Sequence, residues 1–335
     1  MPNALMNANP NATPLVSVLM LAYNHAPYLR QAIESALAQR TSFPVRLVIG
    51  EDCSTDNTRE IAQAFARQYP DRIHLMAHER NQGMVGNLFL TASHCNGRYI
   101  ALLEGDDYWT DSSKLQRQVD LLESRPDAAV CFHPVEVRRE GQRVPDEVSP
   151  FTGSEATIDE LAAGNFMHTP SVVYRNGLFG EWPSWVRDCP APDYALHMLN
   201  ANHGPILHIP RTMAVYRLHA GGVWSAASSC KRLEAWCRNQ RMLLNRFGPR
   251  VAAIQMRALA RSLLSLYQAQ VKAGLMEEAS RSLKESCELD PRGVFEALEQ
   301  QANLYRNSRD YRLGNHLLSF PRHLLQRLRR SIRVT

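Results

Sequence analysis

The sequence predicts an α/β protein: a three-layer α/β/α sandwich with a mostly parallel central sheet, followed by an all-helical C-terminal region. Two observations predict the sandwich. The first is a series of short apolar runs, which are typical of strands buried on both faces. The second is that amphipathic helical patterns alternate with these runs through residues 15–132. Such alternation requires a parallel sheet with right-handed crossovers. A third observation predicts the rest, because from residue 226 onward the apolar spacing is helical throughout.

Each element of the sandwich is predicted from its own local pattern. Strands are expected where four to eight apolar residues run without interruption, and helices where apolar residues recur three and four positions apart. Residues 138–157 are polar and are expected to be irregular. In chain order the predictions are strands at 15–22, 45–50, 73–76 and 98–103 with helices at 27–37, 57–69 and 83–95 between them, then a helix at 114–124, a strand at 128–132, a helix at 158–163, a strand at 171–174, a helix at 193–201, and strands near 206 and at 213–216.

The composition is that of a soluble globular protein, with 335 residues, 44% hydrophobic and 21% charged. No apolar run is long enough to span a bilayer, and residues 1–14, rich in Asn, Ala and Pro, are expected to be a disordered lead-in without an export signal. The 7 cysteines are scattered and include no C-x-x-C pair. A reducing, cytoplasmic setting is therefore expected.

Charge and helical spacing divide the C-terminal third of the chain. Residues 226–308 are expected to form a helical region, and the hairpin near 259–291 looks like a single tetratricopeptide unit. Because such arrays need several repeats to be stable, a helical appendage on the catalytic domain is the alternative. Residues 309–335 hold seven arginines and one acidic residue. The basic character therefore belongs to a tail, and no nucleic-acid partner is expected from it.

An acidic cluster, Glu104-Gly105-Asp106-Asp107, directly follows the buried apolar run at 99–103. Three neighbouring acidic side chains repel one another unless a cation lies among them. Oxygen ligands at the mouth of an α/β sheet suit Mg²⁺ or Mn²⁺, and open sheets bind ligands at this edge. An acidic turn is the alternative, since Asp and Gly are common turn residues.

Three further polar motifs are expected at the same edge or at the mouth of the sheet. They are Ala22-Tyr23-Asn24, Glu51-Asp52-x-Ser54-x-Asp56 and, within 193–225, Tyr216-Arg217-x-His219-x-Gly221-Gly222. In the second motif, Asp52, Ser54 and Asp56 could alternatively be turn and capping residues, because these residue types favour turns. Asn57, which follows that motif, has the N-cap spacing relative to Glu60, so the next helix is expected to begin there.

Together with the acidic cluster, these motifs resemble the inverting family 2 glycosyltransferases, enzymes of the GT-A fold that use nucleotide-sugar donors. The resemblance covers residues 15–225, which are expected to be the catalytic domain, and does not extend to the helical region. It implies metal-dependent transfer of a sugar from a nucleoside-diphosphate donor, expected to be a UDP-sugar, to a hydroxyl group of a glycan or lipid-linked acceptor. Bacterial cell-surface polysaccharide or lipopolysaccharide assembly is the setting expected by analogy.

The resemblance also implies a nucleotide-sugar-binding set. Tyr23 matches an aromatic that stacks on the nucleobase, with Asn24 beside it, although a rim tyrosine is the structural alternative. Asp52 matches the carboxylate that accepts from the imide N–H of the base. Asn81, in Arg80-Asn81-Gln82-Gly83, resembles the segment near the ribose and diphosphate. Glu104 stands where the D-x-D-type motif of the family usually has Asp, which leaves open whether it contacts ribose or metal.

The cofactor implied is Mn²⁺ or Mg²⁺, with Asp106, Asp107 and His219 as its ligands. Such a cation would neutralise the charge that develops on the β-phosphate as the glycosidic bond breaks. A lone histidine is more often not a ligand, and the motif around His219 is what favours that role. Gly221-Gly222 would let the late loop close over the donor, with Trp224 as a lid residue.

Displacement at the sugar carbon needs a general base that takes the proton of the acceptor hydroxyl. In the family this base is an acidic residue at the start of a helix beyond the acidic cluster. Asp193 fits that position and is the catalytic residue expected here; it could equally be an N-cap, and one residue could serve both roles. Asp188 is the competing carboxylate.

Other functional classes require features that this sequence lacks. A sugar-phosphate nucleotidyltransferase would need a glycine-rich, lysine-bearing loop after the first strand, where residues 22–27 contain no glycine. A dinucleotide-binding oxidoreductase would need G-x-G-x-x-G. A non-catalytic scaffold that binds partners through its helical region remains the alternative, and the joint presence of the polar motifs argues against it.

The tail suggests a second kind of contact. Four apolar residues of 320–335 fall on one helical face with arginines around it, and this is a pattern of membrane-surface helices. The tail is therefore expected to contact anionic membrane peripherally on the inner face. The alternative is that the apolar residues pack on the helical region. The four are Leu324, Leu325, Leu328 and Ile332.

Overall fold

The computed structural model describes residues 13–146, 151–222 and 227–306. The chain divides into two compact units, Met1–Ala226 and Ala227–Thr335. The tail, Trp224 and residues 1–12 of the lead-in lie outside the described residues. Among the residues that are described, no helix is both long and apolar enough to cross a membrane.

The first unit alternates strands and helices in the predicted order. Short 3-10 turns at Thr169–Ser171 and Ser184–Asp188 connect its later elements. The strands are β1 (Val16–Ala22), β2 (Val45–Glu51), β3 (Ile73–Ala77), β4 (Tyr99–Leu102), β5 (Tyr108–Trp109), β6 (Val130–Phe132), β7 (Val135–Arg139), β8 (Gln142–Arg143), β9 (Glu155–Ala156), β10 (Val173–Arg175), β11 (Ile206–His208) and β12 (Ala214–Leu218). The helices are α1 (Ala26–Leu37), α2 (Thr58–Gln68), α3 (Gly83–Ala92), α4 (Lys114–Ser124), α5 (Ile158–Ala163) and α6 (Pro192–Ala201).

Eight strands form the central sheet, in the order β3-β2-β1-β4-β10-β6-β11-β9. The first four strands of this order run parallel, with Val16 paired to Val45 on one side and Tyr99 on the other. Strand β10 enters antiparallel between β4 and β6, and β9 is an antiparallel edge. The predicted mostly parallel α/β sheet is therefore confirmed.

The main core lies on the parallel half of the sheet. All seven residues of β1 are buried, as expected for an uninterrupted apolar run in a central strand. Helix α1 covers it with Leu29, Ala32 and Ile33, which recur at helical spacing. These elements therefore fix the edge at which β1, β2 and β4 end, and the polar loops follow from that edge.

A second sheet, in the order β5-β12-β7-β8, was not predicted. The expectation that 138–157 is irregular was wrong at both ends of the range, where β7 and β8 form a hairpin and Glu155–Ala156 forms β9. The hairpin turn is Glu140-Gly141, and both residues have positive φ, as a two-residue type I′ turn requires. The pattern was hidden because β8 has only two residues, both exposed. Strand β12 pairs with β5 and β7, next to the acidic cluster.

Helix α2 begins where it was predicted, with a different capping bond, and helix α3 ends earlier than predicted. Asn57 occupies the N-cap position of α2 but makes no side-chain capping bond; Asp56 Oδ1 instead accepts from the backbone N–H of Thr58 at 3.0 Å. Asp56 Oδ2 also accepts from the N–H of Ala26 at 3.0 Å, so this aspartate joins two loops. Helix α3 ends at Ala92 and not near residue 95, since Ser93 is its C-cap.

The second unit is helical, as predicted. Helices α8 and α9 pack together around Leu264 and Leu283, joined by a short turn at 273–275. The hairpin near 259–291 is thus present as a helix pair, but α8 has 24 residues and begins ten residues before the predicted hairpin. The helices are α7 (Ser229–Leu243), α8 (Pro249–Lys272), α9 (Met276–Leu289) and α10 (Pro291–Arg306).

Candidate active site

A cavity of about 340 Å³ opens at the edge where the parallel strands end. Strands β1 and β2 reach this edge together, because Ala22 pairs with Glu51. The loop after β4 is tied to β1 by the Gly105 N–H, which donates to the Leu21 carbonyl at 2.8 Å. The polar lining of the cavity includes Asp52, Asn81, Glu104, Asp106, Asp107, Thr169, Asp193 and Arg217.

The loop after β1 carries Tyr23 and Asn24, which have different positions. Tyr23 lines the cavity and is 43% exposed, so its ring is available to a ligand. Asn24 lies in the left-handed region at φ 54°, and its Oδ1 accepts from the Thr55 N–H at 2.9 Å. Its own N–H donates to Ser54 Oγ at 3.0 Å. Asn24 therefore holds the first two polar loops together and does not itself line the cavity.

Asp52 is buried at the end of β2 and lines the cavity. Its Oδ1 accepts from the Gln82 N–H at 2.6 Å, and its carbonyl accepts from Asn81 Nδ2 at 3.1 Å. The Oδ1 of Asn81 accepts from the Gly83 N–H at 2.9 Å. Asn81 therefore orders the loop that leads into α3, while one edge of the Asp52 carboxylate faces the cavity.

Glu51 fixes the loop that carries Asp52. Its side chain is fully buried, and its two carboxylate oxygens accept from the Ser54 N–H at 2.7 Å and from Arg59 Nε at 2.5 Å. Arg59 also donates to the His78 carbonyl. A buried charge is tolerated only when it is paired, and here the pair fixes the loop that presents Asp52.

The acidic cluster meets two histidines. Asp106 Oδ2 lies 2.9 Å from His219 Nε2 and 3.6 Å from His25 Nε2. Tyr28 of α1 packs on the His219 ring, with centroids 4.5 Å apart. The structure thus brings together Asp106 and His219, which are 113 positions apart in the sequence.

Arg217 binds the cluster from strand β12. Its backbone N–H donates to Asp107 Oδ1 at 2.7 Å, and its guanidinium donates to the Asp106 carbonyl at 2.5 Å. The same guanidinium lies over the Tyr108 ring, 4.3 Å from its centroid. These contacts fix the backbone of the acidic cluster against the second sheet.

The pKa values of the three carboxylates of the acidic cluster do not all shift in the same direction. Burial raises the pKa of Glu104 well above its ordinary value, and the charges of Asp106 and Asp193 add to this. Burial and the charge of Asp106 likewise raise the pKa of Asp107. For Asp106 burial acts in the same direction, but the hydrogen bond to His219 and the nearby His25 outweigh it, so its pKa is lowered. Asp106 is therefore the carboxylate that stays ionised without a bound cation.

Asp193 also lines the cavity, from the first turn of α6. The N-cap alternative was wrong, because α6 begins at Pro192 and Ala191 holds the N-cap position. Thr169 Oγ1 donates to Asp193 Oδ2 at 3.1 Å, which orients the carboxylate. Asp188 is exposed in the second 3-10 turn and is absent from the cavity lining.

Asp106, Asp107 and His219 are the predicted cation ligands. Within the described ranges, no group of three or more His, Cys, Asp or Glu side chains is placed so that it could hold a metal ion by itself. Asp107 Oδ2, however, is buried without a hydrogen-bond partner among these residues. Mg²⁺ is commonly held by one or two carboxylates while substrate phosphates and water complete its shell. The donor set fits a cation of that kind.

Two residues of the site were not predicted from the sequence. His25 lines the cavity directly after Tyr23-Asn24, and burial lowers its pKa. Its place in the loop after a central strand was a signal that could have identified it. Arg217 was noted only as part of the motif around His219. Its contacts with Asp106 and Asp107 depend on the unpredicted second sheet.

Comparison with known proteins identifies the family. The family described as Glycosyl transferase family 2 matches residues 17–180. An uncharacterized glycosyltransferase of Nostoc sp. is 30% identical over 235 residues, which cover 66% of this chain and 70% of the Nostoc protein. The chain belongs to glycosyltransferase family 2.

Other relatives match a smaller share of their own length. An uncharacterized protein of Mycobacterium tuberculosis is 40% identical over 222 residues, covering 65% of this chain and 62% of that protein. The chain thus spans less than two thirds of the mycobacterial relative. The succinoglycan biosynthesis protein ExoO of Rhizobium meliloti is 38% identical over 117 residues, covering 35% of this chain and 31% of ExoO.

Solved structures share the GT-A fold of the family. The TarS fragment 1–349 of S. aureus, in complex with UDP-GlcNAc, aligns with a TM-score of 0.61 at 18% identity, covering 84% of this chain and 82% of that fragment. The mannosyltransferase PcManGT of Pyrobaculum calidifontis, in complex with GDP-Man and Mn²⁺, aligns with a TM-score of 0.56 at 17% identity, covering 91% and 84%. The predicted GT-A fold is confirmed.

Proposed function

We propose that this family 2 glycosyltransferase transfers a sugar, with inversion, from a nucleoside-diphosphate donor to a hydroxyl group of a glycan or lipid-linked acceptor. One observation supports the proposal most directly. A single cavity at the carboxyl edge of the sheet is lined by both Asp106 and Asp193. A group that stabilises the leaving diphosphate and a group that takes a proton must flank the reacting carbon.

The nucleoside end of the donor is proposed to bind between the loops after β1 and β2. Tyr23 would stack on the base, because its ring is exposed on the cavity wall. The carboxylate of Asp52 would accept from the imide N–H of a uracil, since one of its oxygens is already fixed by Gln82. A UDP-sugar is therefore the favoured donor, in keeping with the UDP-GlcNAc bound by TarS.

A divalent cation, Mn²⁺ or Mg²⁺, is proposed at the acidic cluster. Asp106 would hold it, with Asp107 and His219 beside it, and the diphosphate would complete its shell. When bound, the ion would stabilise the negative charge of the leaving diphosphate. Glu104, whose pKa burial raises as it does that of Asp107, is proposed to contact either the ribose or the cation.

Asp193 is proposed as the general base. The oxygen of the acceptor hydroxyl attacks the anomeric carbon, its proton passes to the Asp193 carboxylate, and the bond from that carbon to the diphosphate oxygen breaks. Thr169 holds Asp193 Oδ2, which leaves Oδ1 to receive the proton. Attack from the side opposite the leaving group inverts the anomeric configuration.

The proposed setting is bacterial cell-surface polysaccharide or lipopolysaccharide assembly in the cytoplasm, at the inner face of the membrane. The relative ExoO, named as a succinoglycan biosynthesis protein, supports the polysaccharide part of this proposal. All seven cysteines are free thiols, which fits a reducing compartment. The tail lies outside the described residues, and its contact with anionic membrane stays a prediction.

Replacing the proposed base tests the function and the mechanism together. With a panel of nucleotide-sugars in Mn²⁺, the wild-type protein should release a nucleoside diphosphate from at least one donor. Asp193→Asn should reduce acceptor-dependent turnover by about 10³-fold while donor binding is unchanged, because the base contributes only in the transition state.

Asp188→Asn is the matched control, since it makes the same chemical change five residues earlier on an exposed turn. Its turnover should stay within about twofold of wild type. If Asp188→Asn abolishes transfer while Asp193→Asn does not, the base has been misassigned. If no donor is turned over under any condition, a non-catalytic scaffold becomes the better account.

A further inference from the structure

We propose that the second unit docks on anionic membrane through a basic face on helix α8. This basic face consists of Arg250, Arg257, Arg261 and Lys272, all of which are exposed. It belongs to the folded helical unit and is separate from the tail at 309–335. It is also independent of the proposed chemistry, because its members lie outside the cavity.

The four side chains lie along one line of the helix. At about 100° per residue, positions 250, 257, 261 and 272 fall within about 60° of one another. The buried residues Leu259, Leu263 and Leu266 fall on the opposite side. With a rise of about 1.5 Å per residue, the basic face is about 33 Å long.

Charge is unevenly divided within the helical unit. The span of α7 and α8, residues 229–272, contains nine basic residues and one acidic residue, Glu234. The span of α9 and α10, residues 276–306, contains four basic and seven acidic residues. A solvated helix face commonly mixes both signs, yet α8 has no acidic residue in 24 positions. This division gives the unit a positive side.

Two exposed apolar side chains lie at the end of the basic face. Leu275, in the turn that follows Lys272, is 41% exposed, and Met276, the first residue of α9, is 53% exposed. Basic side chains bordered by exposed apolar ones are typical of surfaces that rest at the boundary between lipid headgroups and acyl chains. A nucleic acid would use the charges but not the apolar turn, so an anionic lipid surface is the better complement.

Sedimentation with lipid vesicles tests this proposal on the full-length chain. Vesicles of phosphatidylglycerol mixed with phosphatidylcholine should bind the protein at low salt, and vesicles of phosphatidylcholine alone should not. Each basic residue near an anionic surface strengthens partitioning about fivefold. The triple variant Arg250→Gln, Arg257→Gln, Arg261→Gln should therefore partition about 100-fold more weakly, and Gln preserves helix propensity.

A second triple variant removes the same number of charges from the acidic side of the unit: Arg281→Gln, Lys284→Gln, Arg292→Gln. These residues are exposed and pair with glutamates three or four positions away on the same helices. Partitioning of this control should fall less than about fivefold. Equal losses in the two triple variants would mean that net charge alone matters, and the proposal would be wrong.

Two further measurements complete the test. Circular dichroism should show the same helix content in both triple variants, and donor turnover should be unchanged in both. A lack of binding to anionic vesicles by the wild-type chain would overturn the proposal. So would tighter binding to a duplex oligonucleotide than to vesicles, with the same loss in the α8 triple variant, because the partner would then be a nucleic acid.

Discussion

Lys114 is the basis of the sharpest prediction about stability. It is the first residue of α4 and is fully buried. Its Nζ donates to Gln118 Oε1 at 2.7 Å and lies 4.3 Å from the centroid of the Trp109 ring. Burial lowers the pKa of Lys114 to about 7, and no nearby carboxylate offsets this effect. The lysine is therefore about half neutral at neutral pH in the folded protein.

The sign of the pH dependence follows from this shift. In the unfolded chain the lysine has a pKa of about 10.4, so between pH 7 and 10 the unfolded state binds more protons than the folded state. Stability must then rise with pH in this window. With a folded pKa of about 7, the gain from this single group between pH 7 and 9 is about 2 kcal/mol.

The assay compares wild type with Lys114→Met, which keeps a long unbranched side chain but removes the titrating group. Chemical denaturation should be followed at several pH values from about 6.5 to about 9, because lysines with an ordinary pKa stay charged in this range. Burial raises the pKa of the neighbouring Cys131 to about 12 and lowers that of His133 well below its usual value, so neither changes charge in this window.

The loss of the bond to Gln118 lowers the stability of the variant by an amount that does not depend on pH. The difference in unfolding free energy between the two proteins should therefore change by about 2 kcal/mol from pH 7 to 9, in favour of wild type at high pH. A constant difference across the window would refute the reasoning. It would mean that contact with the Trp109 ring keeps Lys114 charged in the fold.

Two other substitutions give independent tests. Asp52→Asn should weaken UDP binding by about 1–2 kcal/mol in calorimetric titration, because it loses a charged acceptor for the base; affinity equal to wild type would remove Asp52 from the nucleotide site. Gly97→Ala should lower the free energy of unfolding by about 1–3 kcal/mol, since a Cβ there would lie 2.5 Å from the Ser17 backbone nitrogen. Gly164→Ala, where a Cβ meets nothing within 4 Å, is its control and should change stability little.

The parallel half of the sheet could be predicted because its strands are continuous apolar runs. The run at 15–22 became β1, in which all seven residues are buried, and the helical spacing from Leu29 onward gave α1. In the second sheet only β12 was predicted, as the strand at 213–216. Strands β5 and β8 have two residues each, and such short pairs carry no periodicity to detect.

The site was predicted in part for the same reason. The carboxyl ends of parallel strands lie at the same edge of a sheet, so the sequence alone places Asp52 and the acidic cluster together at that edge. The contact of Arg217 with Asp107 joins residues 110 positions apart through β12, and local patterns cannot show it. Lys114 is the opposite case, because a lysine at a helix start is expected to be exposed and is buried here.

Calorimetric titration of UDP in the presence of Mn²⁺ tests the central claim most directly, namely that the cavity between Asp52 and Asp106 is a cation-dependent nucleotide site. We expect wild type to bind UDP with Mn²⁺, and both EDTA and Asp106→Asn to weaken that binding at least about tenfold, because Asp106 would hold the ion and the ion would offset the charge of the diphosphate. UDP affinity that is the same with Mn²⁺, with EDTA and in Asp106→Asn would contradict the account.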